Sequence, residues 1–327
     1  MPVTINGSDG ITNASWTTGT RPSNPVAGQM GYNADISNFE IYNGSDWVNI
    51  VDIANNIVDN KLSKLLVQVP GAIAAYSLRR LSISSTPVIR VRRDSDNTEQ
   101  DFRSEEIEDG SLETFCGSGD GLVTKWYDQS GNVNDATQTT ASDQPKIVSA
   151  GVLVTENGRA ALDFDGVDDH LIPSSNIDGT VWDNDFTLIA QVNYKSLSSF
   201  NYIFSAWNTR DISFATFSEP DAKVVLFDGD GNTVRSNTLS VDQNYLFTYV
   251  RSKNNGLFFY ENGSLTETDP FTGNAESRNE TNAIGARYAN NRNDANYFLK
   301  EFIVYPTDQS SSRVLIETDI NNYYGVF

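Results

Sequence analysis

Cysteine and histidine are nearly missing from this sequence: Cys116 and His170 are the single examples in 327 residues. One cysteine excludes an intramolecular disulfide and a multi-cysteine zinc site. One histidine argues against histidine-based zinc catalysis and against most Ser-His-Asp triads. Basic residues are scarce too. Lys and Arg number 23 against 43 Asp and Glu, for a net charge of −20. Such a surface repels a phosphate backbone and an anionic bilayer, so no nucleic-acid partner is expected. No apolar run approaches the ~20 residues of a membrane span, so no membrane insertion is expected either. Met1-Pro2-Val3-Thr4 lacks the basic and then apolar start of a signal peptide, which argues against Sec export. The sequons Asn43-Gly44-Ser45 and Asn262-Gly263-Ser264 would matter only in a secretory pathway.

What is present points to β structure. Aromatic and β-branched runs alternate with Asn-Gly and Asp-Gly turns, the grammar of antiparallel sheets. The 38% hydrophobic content is enough for a core. Three parts can be read. Residues 1–50 form a small β module, with Gly31-Tyr32-Asn33, Phe39-Glu40-Ile41-Tyr42 and Trp47-Val48-Asn49-Ile50 as strands around an Asn43-Gly44 turn. So short a meander is marginal alone, which implies a partner, either copies of itself or a larger assembly. Residues 51–69 read as a short helical neck, with Ile53, Ile57, Leu62, Leu65 and Leu66 near helical spacing before Pro70-Gly71. It either self-associates or packs on its own domain. Residues 70–327 read as a large antiparallel β-sandwich. Its strands include 88–92, 187–192, 223–227, 245–250, 257–260 and 298–305, and a helix from about Ser310 to Tyr323 caps it.

Residues 70–175 carry a resemblance. Ala74-Ala75-Tyr76-Ser77-Leu78, Ile89-Arg90-Val91-Arg92-Arg93-Asp94, Trp126-Tyr127-Asp128-Gln129-Ser130-Gly131-Asn132, Gln144-Pro145-Lys146-Ile147-Val148 and Phe164-Asp165-Gly166-Val167-Asp168-Asp169 follow in order. This series resembles the start of the laminin-G/concanavalin-like sandwich of family 54 α-L-arabinofuranosidases, a fold also found in phage structural proteins. Separately, residues 21–33 and Phe39 to Trp47 resemble N-terminal modules of phage tail-fibre and virion appendage proteins. The resemblances imply a structural virion protein, a tail or head fibre that adheres to host surface glycan. Other virion proteins, further copies of the chain in a homotrimer and the host glycan would be its partners, and the virion its location. A purely architectural decoration protein and a glycoside hydrolase of host polysaccharide are the alternatives.

The hydrolase needs a carboxylate pair about 5 Å apart for retention. The family carries an acid near a late Ile-Gly-x-Asp-like strand end. Here Ile284-Gly285-Ala286 runs into Arg287 and Tyr288, and no segment matches the family's nucleophile. No enzyme activity is therefore expected, and no catalytic residue is assigned. Arg287 and Tyr288, with Trp207 and Asp211 from another strand end, are the candidate carbohydrate-binding residues. Trp126 and Asp128 suit a sugar platform by type, but their motif recurs in enzymes and non-enzymes of the resemblance and reads as a turn that fixes the sandwich, with Asp128 and Gln129 bonding backbone. Arg79, Arg80, Arg90, Arg92 and Arg93 gather in 15 positions. They suit an acidic polysaccharide, or internal pairing with Asp94, Asp96, Glu99 and Asp101; in a strand, Arg90 and Arg92 share one face. No cofactor is expected, calcium apart: Asp165, Asp168 and Asp169, or Asp228, Asp230 and Asn232, offer the hard oxygens it takes, although a hairpin turn explains the second set equally well. His170 reads as a turn residue and Cys116 as a small buried apolar side chain.

Overall fold

The computed structural model describes residues 5–6, 10–11, 14–50, 64–83, 86–173, 177, 179–182, 184–197, 201–207, 211–217, 222–228, 232–270, 281–287 and 295–327. They form two compact units, residues 1–64 and 65–327.

In the first unit Ser15–Trp16 pairs parallel with Met30–Asn33, which continues antiparallel to Asn38–Tyr42 and Trp47–Asn49. Asn43 makes the turn the sequence suggests. Its Oδ1 accepts from the amides of Ser45 and Asp46, and Gly44 takes φ +107°. Alternation sends Glu40 to one face and Phe39 and Ile41 to the other. The Glu40 face has a core built on charge. Glu40, 2% exposed, takes Arg21 in a two-pronged ion pair and accepts from Trp16 Nε1 (3.2 Å) and Asn33 Nδ2 (3.0 Å). These bonds, Arg21 first, hold its carboxyl below the usual range. The Trp16 ring lies on Gly31, where a Cβ would come within 2.1 Å of it, so glycine is required. On the opposite face Met30 and Phe39 are exposed.

In the second unit the strand Phe186–Tyr194 is central, flanked antiparallel by Asn244–Ser252 and Asn296–Tyr305. Gly256–Glu261 and Ser264–Asp269 extend one side. Leu162–Asp165, Lys146–Ser149, Gly121–Trp126, Ile89–Arg93 and Glu99–Phe102 extend the other. A second sheet of five strands runs Thr233–Arg235, Lys223–Asp228, Asp211–Phe217, Asn201–Trp207, Thr281–Ile284. Even-numbered residues of the central strand, from Phe186 to Tyr194, pack with Phe204, Ala206, Leu226, Phe247 and Phe302 between the sheets. Its Ile189 points the other way, into a cluster with Leu65, Val69, Ile303, Tyr305, Ile316, Ile320 and Tyr324. Both faces are covered, which is why all nine residues of this strand are buried and its sequence shows no polar alternation.

The C-terminal helix is Arg313–Tyr324, ended by Gly325 at φ +63°. It starts three residues later than the sequence suggests because Asp308 Oδ1 holds the Ser310 amide in a turn. The last part of the expected neck, Leu65 and Val69, belongs to the layer beneath this helix. Residues 51–63 lie outside the described residues. The helices Ser104–Glu108 and Ser111–Cys116 carry no strong periodic signal, and Cys116 is buried at the end of the second. Burial raises its thiol pKa to about 11, as befits an inert packing residue. Among the described residues no helix is long and apolar enough to cross a membrane.

Candidate functional site

The Trp126–Asp135 stretch is architectural. Asp128 Oδ1 accepts from the amides of Ala75 (2.9 Å) and Ser130 (2.8 Å), and its Oδ2 from Asn134 (3.0 Å). Gln129 donates to the carbonyls of Ser77 and Arg79 and accepts from the Leu81 amide. Trp126 is wholly buried, so it offers no face to a sugar.

The arginine-rich segment divides. Arg90 pairs with Asp101 and Arg93 with Asp96, as the sequence allows. Arg79 reaches much further, to Glu301 and Asp319, and Arg80 lies 3.7 Å from Glu105. Among the described residues, Arg92 contacts no carboxylate. The pleat sends Val91 into the core and places Arg90 and Arg92 together on the outer face. There they line a groove of about 340 Å³ with Glu99, Thr124, Lys125, Thr137, Gln138, Thr139, Ala141 and Gln144. No motif points to this groove, because its walls come from four separated segments; the one legible part is the shared face of the two arginines.

A second polar site lies where the turn after Leu162–Asp165 meets the end of Thr281–Ile284. Leu171 bridges Ile284, and the Asp169 carbonyl lies so close to Gly285 that a Cβ there would meet it at 3.0 Å. Gly285 also takes φ +86° beneath the Phe164 ring. One oxygen each of Asp165, Asp168 and Asp169 falls within 4.8 Å of the others. Asp165 Oδ1 accepts from the Val167 amide and Asp169 Oδ2 from the Asp165 amide. This is a hard-oxygen set of the kind calcium takes. Asp169 is 4% exposed, and burial, then Asp165, push its carboxyl up to about 7. His170 holds the turn, its ring between the Asp168 carbonyl and Gln138.

A pH effect follows. Asp169 has a folded pKa above the unfolded value, so the native state binds the proton more tightly. The stability it contributes is full below about pH 4 and is lost as pH rises to about 7. Asp169→Asn is expected to flatten this slope and to gain on the order of 2–4 kcal/mol at pH 8. Denaturant unfolding across pH 4–8 checks it; parallel slopes for the two proteins would refute it.

Of the residues singled out for sugar binding, Arg287 is half-buried and follows Ala286, whose carbonyl accepts from Ser205 Oγ. Trp207 stands opposite Asp211 of the neighbouring strand on one side and opposite Thr281 on the other. Trp207 and Arg287 therefore lie off opposite ends of Thr281–Ile284. The side chains of Trp207 and Asp211, and Tyr288 altogether, lie outside the described residues, as do Asp230 and the Asp228 side chain.

The sequence matches no family model, and no curated protein matches it. Solved structures of like fold include arabinofuranosidases. One is a family 54 α-L-arabinofuranosidase soaked with a cyclic sulfate inhibitor, with TM-score 0.55 and 17% identity. Another is a variant of a family 54 enzyme soaked with 4-nitrophenyl α-L-arabinofuranoside, with TM-score 0.57 and 17% identity. A third is an arabinofuranosidase complexed with arabinofuranosyl-α-1,2-xylobiose, with TM-score 0.53 and 18% identity. Each alignment covers 76% of this chain and 62% of the other, so this chain spans less than two thirds of those enzymes. The chain thus shares the β-sandwich of these carbohydrate-active enzymes.

Proposed function

We propose that the sandwich is a glycan-directed domain and that the outer-face groove is where it engages a saccharide. The observation that carries this is the groove's lining: hydroxyls of Thr124, Thr137 and Thr139 and the charged ends of Arg90, Arg92, Glu99 and Lys125, with Gln138 and Gln144 behind them, bonded to His170, Thr140 and Arg92. A saccharide ring presents hydroxyls, and such a wall meets each with a donor or acceptor. In this reading the N-terminal unit anchors the sandwich in a virion appendage, as several copies of the chain beside other virion proteins. The wording of residues 21–47 and the exposed Met30 and Phe39 support that setting. Several weak sites on one oligomer would then bind a host surface by avidity.

A second reading, a glycoside hydrolase, has its own support. Asp169 holds its proton to about pH 7 beside two further carboxylates, the kind of pairing that acid-assisted glycoside cleavage uses. The arabinofuranosidases of like fold point the same way. The test incubates the full chain with surface polysaccharides, counting bound protein and released reducing ends. Saturable binding that Thr139→Trp blocks, without release, is expected of the first reading. Release that Asp169→Asn abolishes would replace it with the second. Neither would leave an architectural decoration protein.

A further inference from the structure

We propose that the groove selects an anionic saccharide, a uronate whose carboxylate sits on Arg92. This rests on the glycan-directed reading and names the class of sugar.

Arg92 is 9% exposed. Its Nε donates to Gln144 Oε1 (2.9 Å), Nη1 to Asn97 Oδ1 (2.8 Å) and Nη2 to the Ala141 carbonyl (3.3 Å). All three acceptors are neutral. A guanidinium has five N–H donors, so one proton on each Nη atom is unspent. Its neighbours differ: Arg79, Arg90 and Arg93 each hold a carboxylate within 2.8 Å. Among the described residues Arg103 and Arg235 also lack a carboxylate partner, but both are exposed, whereas Arg92 is buried. A desolvated cation without a counter-ion is costly, and a bound carboxylate removes that cost through charge-assisted hydrogen bonds.

The rest of the lining narrows the ligand. Lys125 is 3.3 Å from Asp135 and Arg90 2.6 Å from Asp101, so the rim is already neutralised. Among the described residues, Arg92 is thus left as the one lining cation with no carboxylate in contact. Glu99 stands opposite Arg92 in the backbone register of the two strands, and its side chain accepts from Thr124 at 3.4 Å. A carboxylate so placed repels sulfate and phosphate, which carry more charge, but accepts from a sugar hydroxyl. Ala141 is the lone apolar side chain of the lining, and every other lining residue carries a polar or charged end. A singly charged, hydroxyl-rich ring fits that lining.

The full-length chain would be titrated calorimetrically with galacturonate and glucuronate oligomers, with their uncharged methyl esters and with sodium sulfate. One of the acid forms is expected to bind at least about tenfold more tightly than its ester, with affinity falling as salt rises. Arg92→Gln is expected to erase the preference. Because Arg92 is buried, Thr139→Trp serves as a second variant: Thr139 is exposed and lines the groove, and a bulky side chain there should block binding without disturbing the core. Equal binding of acid and ester, both blocked by Thr139→Trp, would overturn the role of Arg92 and leave the glycan reading standing. Sulfate binding as tightly as the oligomers would make this an anion site and overturn the proposal. Failure of both acids to bind would overturn it too, and neutral polysaccharides would then decide the glycan reading separately.

Discussion

Glu301→Ala is expected to cost the sandwich about 3–5 kcal/mol. Glu301 is wholly buried, on the strand laid against Ala74–Ser77. Its Oε2 takes Arg79 Nε (2.8 Å), Ser77 Oγ (2.8 Å) and the Tyr324 hydroxyl (3.2 Å), and its Oε1 takes Arg79 Nη2 (3.0 Å). The substitution removes every one of these acceptors at once. Asp319 still reaches Arg79 Nη2, and the two hydroxyls keep each other and the Lys300 carbonyl within 3.3 Å, but Arg79 Nε is stranded away from water. A buried pair need not stabilise relative to an apolar one, so the double variant Arg79→Met/Glu301→Leu is expected to lose less than Glu301→Ala alone. Denaturant unfolding of the wild type and both variants checks this. A single-variant loss below about 1 kcal/mol would mean the pair is solvated in solution.

Asp128→Ala comes next, at about 2–4 kcal/mol. One carboxylate satisfies three backbone amides and the Ser130 hydroxyl, and it holds Ala75 and Asn134 in one place. Asn134 in turn receives the Tyr76 hydroxyl on its carbonyl and donates to Ile73. Losing Asp128 therefore loosens the start of the sandwich where Tyr76 packs against Trp126. Asp128→Asn is expected to fall between, because an amide keeps one acceptor oxygen and turns a donor toward amides that also donate. Hydrogen exchange at Ala75, Ser130 and Asn134 is the direct readout. Unchanged protection at those amides would refute the assignment.

The parts of the molecule that were readable beforehand are those set by neighbours in sequence. The strands 244–252, 256–261 and 296–305 carry enough aromatic and β-branched residues for their runs to be seen, and only their ends shift. Asp128 and Gln129, next to Ser-Gly-Asn, read as a turn that fixes backbone, although which backbone was hidden: Gln129 reaches Ser77 and Arg79, about 50 residues back. The arginine segment shows the limit most clearly. Pairing of Arg93 with Asp96 is local and legible, whereas the partner of Arg79 stands 222 residues away. The groove is hidden for the same reason. Gln138 and Gln144 reach the face of Arg90 and Arg92 only because the strand Gly121–Trp126 lies beside Ile89–Arg93.

The pairing of Ala74–Ser77 with Asn296–Tyr305 has a kinetic consequence. The first strand of the sandwich finds its neighbour near the other end of the chain, and Arg79 locks to Asp319 in the final helix. Closing so long a loop is slow, because its entropy is lost before any contact repays it. During synthesis the first strand must wait, its edge unpaired, until about 230 further residues, through Tyr305, have left the ribosome. Ala74–Ser77 is buried at every position once folded, so it is the segment most exposed to wrong pairing in that interval. Truncation before Asn296 would leave that strand without its partner altogether.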